Sequence, residues 1–467
     1  MTGARFLLAF VTLPLLGLAI WRLPSVAVLP LAARASIAAA AGAVLLTLEM
    51  LLFSLVGISW SVPLLAIPLL ASGLSVLFEK RKERLRARMP ERLPTAALAL
   101  AALAVLLAAF AAGTARATSL DLLFFWGSKG LHFAKARGLD TAFLILPEHG
   151  LMHPGYPPLF SLLYAWASLV AGRMAWGAAL LTMPLFLGAS VAAFRGYSRG
   201  PLGERSSAEH TALLAALLAY GLTTTLCAGN AEPPLLFFET IALSLLAFGE
   251  RRAENEWLAS LGLAGAVLTK VEGAAFAAVV CGAFLLFPRA PGRRVQSFGR
   301  LALAPSLLLG GWLIFVTRLG IADSYAGREY GGFTLSHARE VLLGILASAS
   351  FQAAYLPWIA LGVLLVVAPS RRRARPFLLA AAAYTILLVF SYLHGESDPR
   401  KWIEWSGSRL LLTPLLLLFF GASAATMQER DLRTDPAEHP EANPIDVERN
   451  THGLATHVRE NKPWLAE

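Results

Sequence analysis

Residues 94–113 read "PTAALALAALAVLLAAFAAG", a run of 20 residues without a single charge. A helix of that length rises about 30 Å, which matches the hydrocarbon thickness of a bilayer. The run therefore predicts a transmembrane helix. Similar apolar runs recur along the chain, so this stretch sets the fold class of the whole protein.

The composition supports the same conclusion. Hydrophobic residues make up 57% of the chain and charged residues 15%, with a mean hydropathy of +0.61. A soluble domain carries about a quarter charged residues. We predict an all-α fold, a polytopic transmembrane helix bundle of about 13 spans. The predicted spans are 5–21, 35–57, 61–78, 94–113, 174–194, 209–228, 233–249, 257–269, 272–287, 301–317, 351–368, 377–393 and 408–427.

The formal net charge of +10 is not spread evenly. Basic residues cluster in short loops between apolar runs, as the positive-inside rule requires, and "EKRKERLRARMPER" (79–92) is the strongest cluster. We therefore expect this loop in the cytoplasm and no nucleic-acid partner. Cys227 and Cys281 both lie in apolar runs, which indicates buried small hydrophobes.

The orientation has consequences for the first large loop. With 79–92 in the cytoplasm, three spans precede it, the N-terminus lies outside, and residues 114–173 form a large outer loop. Later basic loops stay cytoplasmic only if 157–172 returns without crossing. We predict a short helix there, lying at the outer surface or dipping into it. The charged tail 428–467 is predicted to be disordered and cytoplasmic.

Ionisable groups gather at the outer ends of several predicted spans. Such groups are costly at membrane depth, and their convergence on one face is typical of an active site or a substrate pathway. A solvated loop face with snorkelling side chains is the plainer alternative. The candidates for substrate binding and catalysis are Asp121, Lys129, His153, Tyr156, Glu232, Lys270, Glu272 and Arg409.

Three of these positions carry most of the chemistry. Asp121 follows a helix end and precedes Phe124, Phe125 and Trp126, so its carboxylate is expected to be partly desolvated and to have a raised pKa, which suits a general base. Lys270 and Arg409 come from different helices. A Lys and an Arg placed in this way can hold a phosphate without a soluble nucleotide fold.

The order of motifs adds a resemblance. The chain reads "FFWGSKG" (124–130), "HPGYPPLFSLLYAW" (153–166), "GNAEPPLLFF" (229–238), "LTKVEG" (268–273) and "WSGSRLLL" (405–412). Over residues 94–420 it resembles the GT-C superfamily of integral-membrane glycosyltransferases, nearest to the bacterial protein mannosyltransferase and aminoarabinose transferase group. The resemblance implies a GT-C-like bundle whose outer first loop carries short surface helices.

The resemblance also implies a function for the protein and a role for each candidate residue. The enzyme would move a sugar from a polyprenyl-phosphate carrier to a glycan, lipid or protein acceptor on the outer face of a bacterial plasma membrane. Asp121 would be the general base, Lys270 and Arg409 would hold the lipid phosphate, and His153 and Tyr156 would shape the pocket. Lys129, Glu232 and Glu272 would complete the substrate-binding set.

Two positions depart from the family pattern. Gly155 replaces an acid that relatives often carry, and Asp121 stands alone where many members have two acids. An open metal site needs at least a pair of carboxylates. We therefore predict no metal ligands and no required cofactor, while dependence on a divalent metal stays open.

The predicted organisation is an N-terminal helical part with the basic loop (1–93), a catalytic module (94–427) and the tail (428–467). Two other functions remain open. One is an oligosaccharide ligase or polymerase that uses a polyprenyl-diphosphate donor. The other is a transporter or flippase of a lipid-linked substrate, since intramembrane charges and broken helices are found in transporters too.

Overall fold

Two apolar helices meet at Lys270, where the helical backbone is interrupted. Lys270 has extended backbone angles (φ −158°, ψ 157°) between two helices of 17 and 16 residues. Gly273 makes the close approach feasible, because a Cβ there would lie 2.0 Å from the carbonyl oxygen of Ala266. The two helices therefore pack against each other and leave a charged residue at their junction.

The computed structural model describes residues 1–79, 95–115, 121–146, 152–221, 229–250, 252–288, 291–321, 335–350, 355–368, 370–394 and 399–427. The described part is all helical and contains no strand. The predicted basic loop, apart from Glu79, and the predicted tail lie outside the described residues. So do the boundary at residue 93 and part of the predicted span 209–228.

In chain order, the helices of the N-terminal part are α1 (Thr2–Val11), α2 (Leu13–Leu16), α3 (Pro24–Ala27), α4 (Leu31–Leu55), α5 (Val62–Glu79) and α6 (Thr95–Thr114). After a π-helix (Asp121–Trp126) come α7 (Gly127–Ala136), α8 (Thr141–Ile145), α9 (Leu159–Ala171), α10 (Trp176–Leu180), α11 (Thr182–Leu202) and α12 (Glu204–Gly221).

The remaining helices lie in the second half of the chain. They are α13 (Glu232–Phe248), α14 (Ala253–Thr269), α15 (Val271–Leu286), α16 (Arg294–Arg318), α17 (Ala338–Ser350), α18 (Leu356–Val367), α19 (Arg371–Leu393), α20 (Pro399–Leu410) and α21 (Leu412–Ala425). Short 3-10 turns lie at Leu18–Arg22, Pro291–Arg293 and Leu335–His337.

Helix α13 is the centre of the bundle. Nearly every one of its residues is buried, and it packs against α11, α14 and α21. A helix that is apolar all round belongs in an interior, which the run "LLFF" (235–238) illustrates. The residues at the start of α13 are therefore fixed in place by the surrounding helices.

Seven helices in the described part are long and apolar enough to cross a membrane. They are Thr2–Arg22, Leu31–Leu55, Ala96–Thr114, Trp176–Leu202, Arg294–Arg318, Arg371–Leu393 and Pro399–Ala425. The predicted count of about 13 is not confirmed. Several predicted spans are shorter helices, such as α14 and α15, which rise about 25 Å each.

Helix α9 forms within the predicted short helix at 157–172, and its place at the outer surface stays a prediction. It has 13 residues, about 20 Å of rise, which is too short to span a bilayer. Yet it is nearly all buried, because it packs against α1, α4 and α7. Trp166 donates from Nε1 to the carbonyl oxygen of Ala9 over 3.2 Å, and this bond ties the N-terminal helices to the rest of the bundle.

A cluster of paired charges at one end of the bundle

Five of the predicted site residues converge at one end of the bundle. Arg409 Nη1 lies 3.1 Å from Asp121 Oδ2 and 3.5 Å from Glu232 Oε1. Lys270 Nζ lies 2.9 Å from Glu232 Oε1 and 2.9 Å from Glu272 Oε1. We call these five residues the charge cluster. They come from the π-helix, the start of α13, the break between α14 and α15, and the end of α20.

Local sequence explains why two of these segments meet. Gly229 has a positive φ of 68°, and a Cβ at this position would lie 2.8 Å from the Cβ of Leu122. Glycine accepts this backbone conformation and permits the close approach. The turn at Gly229 therefore lies against the π-helix, and Glu232 follows at the start of α13, where proline is tolerated at the next position.

Asn230 joins the cluster, and the sequence did not single it out. With its amide oriented to satisfy both neighbours, it donates to Asp121 Oδ2 over 2.7 Å and accepts from Arg409 Nη1 over 2.8 Å. It is buried. The signal that could have found it is its place in the turn "GNAEPP", two residues before Glu232.

The cluster has a floor and a rim. The side chains of Glu232 and Lys270 are 4% and 9% exposed, so they form the floor. Asp121 and Arg409 are 25% and 21% exposed and form the rim, together with Glu272. A molecule that approaches from outside the bundle would therefore meet Asp121 and Arg409 before the deeper pair.

The surroundings set the charge states of two members. Burial raises the pKa of the Asp121 carboxyl above its ordinary value, although the nearby Arg409 acts in the opposite direction. Burial opposes the charge of Lys270, but Glu232 and Glu272 outweigh this effect and hold its pKa above the ordinary value. These effects favour the charged form of Lys270 and make Asp121 a candidate for proton exchange.

Lys129, His153 and Tyr156 form a separate aromatic cluster. Lys129 Nζ donates to the carbonyl oxygen of His153 over 2.9 Å and lies 4.8 Å from the ring centre of Trp126. The rings of His153 and Tyr156 stack with 4.7 Å between centroids, and Phe125 meets His153 edge-on at 4.9 Å. Phe125 lies one turn after Asp121 on the π-helix, so this cluster borders the charge cluster.

The backbone at His153 is also unusual. Its φ of 50° lies in the left-handed region, which non-glycine residues occupy infrequently. Trp312 donates from Nε1 to the carbonyl oxygen of Gly155 over 2.8 Å, which fixes the loop onto α16.

One further carboxyl escaped the sequence analysis. Glu239 lies in the middle of α13 and is fully buried, and Thr413 Oγ1 donates to its two oxygens over 3.0 and 3.1 Å. An acidic residue inside an apolar span is itself a signal of function. The run "LLFFETIAL" (235–243) contains that signal.

In the residues that the structure describes, no three His, Cys, Asp or Glu side chains are arranged to hold a metal ion. Comparison of the chain with protein-family models, curated proteins and solved structures gives no match. The functional argument therefore starts from the geometry of the charge cluster.

Proposed function

We propose that the protein is a membrane glycosyltransferase that moves a sugar from a polyprenyl-phosphate carrier to an acceptor at the charge cluster. The observation that carries this proposal is the contact of Asp121 with Arg409 at the rim, over the buried Glu232–Lys270 pair. A carboxylate and a guanidinium side by side, both partly exposed, supply a base for an acceptor and a cation for a leaving phosphate.

The proposed reaction is an inverting displacement. The acceptor hydroxyl or amine attacks the anomeric carbon, and the bond between that carbon and the phosphate oxygen breaks. The electron pair stays on the phosphate, and Asp121 takes the proton of the acceptor. Positioned general-base action is worth about 10²–10⁴-fold. Arg409 stabilises the charge that develops on the leaving phosphate.

Lys270 has a different role in this proposal from the one predicted from sequence. It is buried between Glu232 and Glu272, so its charge is already matched by carboxylates. Arg409 is the cation at the rim and is better placed to meet a phosphate. We assign Lys270 to holding the carboxylates of the floor in place, which positions Arg409 through Glu232.

An apolar groove near Arg409 supports a lipid-linked donor. The groove has a volume of about 270 Å³ and lies between α12, α18 and α21. Leu412, one turn after Arg409, lines it together with Leu415, Leu217 and Leu361. The lining is almost entirely apolar, which suits a hydrocarbon chain.

The test is turnover with purified protein and a panel of undecaprenyl-phosphate sugars, read out as free undecaprenyl phosphate by mass spectrometry. We expect release with wild type and a loss of at least about 100-fold with Asp121→Asn. Arg409→Ala should lose activity as well. The matched controls are Glu209→Gln and Arg400→Ala, which change exposed residues outside the cluster.

Full activity of Asp121→Asn would overturn its role as base. Release of undecaprenyl diphosphate from a diphosphate-linked donor would favour a ligase or polymerase instead. A transporter is the second candidate, and the buried carboxyl of Glu239 favours it, because such groups mark proton and ion pathways. Binding of lipid-linked sugars without release of the carrier would support that function.

A further inference from the structure

The charge cluster contains more negative than positive groups. Asp121, Glu232 and Glu272 supply three carboxylates, and Lys270 and Arg409 supply two cations. Glu232 Oε2 and Glu272 Oε2 are buried and have no hydrogen-bond partner within the described residues. With all five groups ionised the cluster does not attract an anion, so a phosphate can bind only if the pairing changes.

Arg409 is the group at which the pairing can change. Its contacts with Asp121, Glu232 and Asn230 all use the single nitrogen Nη1. Arginine binds phosphate best with two parallel N–H groups, and a competing carboxylate on one of them weakens that arrangement. Glu232 is held in the floor by Lys270, whereas Asp121 is partly exposed and belongs to a separate element, the π-helix.

We propose that the phosphate group of the carrier and Asp121 compete for Arg409, so that donor binding releases Asp121 and turns it into the base. This inference rests on the proposed function and concerns the control of the same site. In the free protein Asp121 Oδ2 is paired with Arg409, which makes Asp121 a weaker base toward an acceptor or water. The donor therefore binds before the acceptor, and the base reaches full strength only when there is a sugar to transfer.

The exchange has a consequence for protons. Asp121 faces Arg409 of α20, Asn230 and Glu232 around the start of α13, and Lys270 of the break between α14 and α15. Loss of the Arg409 contact removes a cation that favours the ionised carboxylate, and the arriving phosphate adds a negative charge nearby. Both effects raise the pKa of Asp121. Below that raised pKa, binding takes up a proton from solvent, and above it Asp121 stays ionised and acts as base.

The experiment measures binding of inorganic phosphate and of undecaprenyl phosphate by calorimetry, in two buffers of different ionisation enthalpy. Both phosphate ligands exchange protons of their own near neutral pH, so the readout is the difference between variants, and wild type should take up more protons on binding than Asp121→Asn. For Asp121→Asn we also expect binding that is about tenfold tighter, because the competitor is gone. Arg409→Ala should weaken binding of both ligands.

Glu272→Gln is the matched control. It removes the same negative charge from the cluster, but Glu272 forms its ion pair with Lys270 and not with Arg409. We expect it to tighten binding no more than about twofold. Equal tightening in both variants would overturn the exchange, because it would show a general charge effect. Binding that Asp121→Asn leaves unchanged or weakens would overturn it too.

The two ligands separate the failure of this inference from that of the proposed function. If wild type binds neither phosphate ligand, both this inference and the proposed function fail. If undecaprenyl phosphate binds but Arg409→Ala does not weaken it, the chain alone is recognised and the exchange is wrong. If Asp121→Asn does not fold, proton uptake is compared between wild type and Arg409→Ala, in which Asp121 has no Arg409 contact to lose and uptake should be smaller.

Discussion

Lys270 and Glu232 form the deepest ion pair of the site, with 2.9 Å between Nζ and Oε1 and both side chains buried. Glu232 Oε1 is shared, since Arg409 Nη1 lies 3.5 Å from the same atom. One carboxylate oxygen thus connects the buried floor with the rim. Changes to the floor should therefore affect both the stability of the bundle and the position of Arg409.

Lys270→Met tests the stability part of this relationship. It leaves Glu232 and Glu272 without their shared cation in a buried site, and removal of one partner from a buried pair costs about 3–5 kcal/mol of unfolding free energy. We expect a clear fall in the melting temperature in detergent. The double variant Lys270→Met/Glu232→Gln should recover part of the loss, because it leaves fewer unmatched charges.

Arg205→Met is the control for this experiment, since the Arg205–Glu209 pair is exposed on α12 and should contribute little to stability. A single Lys270→Met variant as stable as wild type would contradict the prediction. It would show that solvent reaches the floor and replaces the missing cation.

Asn230→Ala tests the bridge between Asp121 and Arg409. Loss of the amide removes the hydrogen bond that Asn230 donates to Asp121 Oδ2 and the one that it accepts from Arg409 Nη1. Since misplacement of a reacting group can cost about 100-fold, we expect kcat to fall about 10- to 100-fold while the donor KM changes less. The lost donor had favoured the ionised carboxylate, so the acidic limb of the pH–rate profile should move to higher pH.

A merely structural role for Asn230 would lower the melting temperature and leave the pH profile in place. Asn230→Asp sharpens the comparison, because it keeps the size of the side chain and adds a carboxyl group beside Asp121. We expect it to move the acidic limb further to higher pH than Asn230→Ala does. The absence of any shift in both variants would show that Asn230 does not bear on Asp121.

Much of this site could be predicted from the sequence, and the reason is the cost of charge in an apolar environment. Asp121, Glu232, Lys270, Glu272 and Arg409 stand at the ends of apolar runs, and the structure places all five together. Their pairing could not be predicted. The sequence suggested that Lys270 and Arg409 face a phosphate, whereas in the structure both face carboxylates.

The fold was predictable in kind and less so in detail. Apolar composition predicts helices in a membrane bundle, but it does not distinguish a helix that faces lipid from one inside the bundle. Helix α9 shows this, since its apolar surface is covered by other helices. The break at Lys270 was predicted, since the predicted spans 257–269 and 272–287 end and begin beside it, but α14 begins at Ala253, four residues earlier than predicted.

The pH dependence of transfer tests Asp121 directly. Burial raises its pKa above the ordinary 3.8, and the base must be ionised to act. Activity should therefore fall as the pH drops through this raised value, with a midpoint above that of an ordinary aspartate. The stability of the folded protein should change with pH in the opposite direction. A carboxyl whose pKa is raised in the folded state stabilises the protein at acid pH, and this stabilisation is lost as the pH rises through the raised pKa.

The residual activity of Asp121→Asn should lack this acidic limb, and its melting temperature should exceed that of wild type most clearly at neutral and higher pH. Glu209→Gln is expected to keep the limb, since Glu209 is exposed on α12. An acidic limb that survives in Asp121→Asn would assign the titration to another group.

Glu239 provides the last prediction. Its side chain is fully buried and accepts a hydrogen bond from Thr413. Within the part of the chain that the structure describes, no cation is paired with it. An ionised carboxylate is very costly in such a place, so we expect the neutral acid. Glu239→Gln, which mimics that acid, should keep the melting temperature within a few degrees, whereas Glu239→Ala should lower it by leaving a cavity and an unpaired Thr413.

Dicyclohexylcarbodiimide reacts with protonated carboxyls in apolar surroundings, and labelling of Glu239 at pH 7.5, located by mass spectrometry, is the direct measurement. A strong loss of stability in Glu239→Gln, with no labelling of wild type, would show that the carboxyl is ionised and has a cation as its partner.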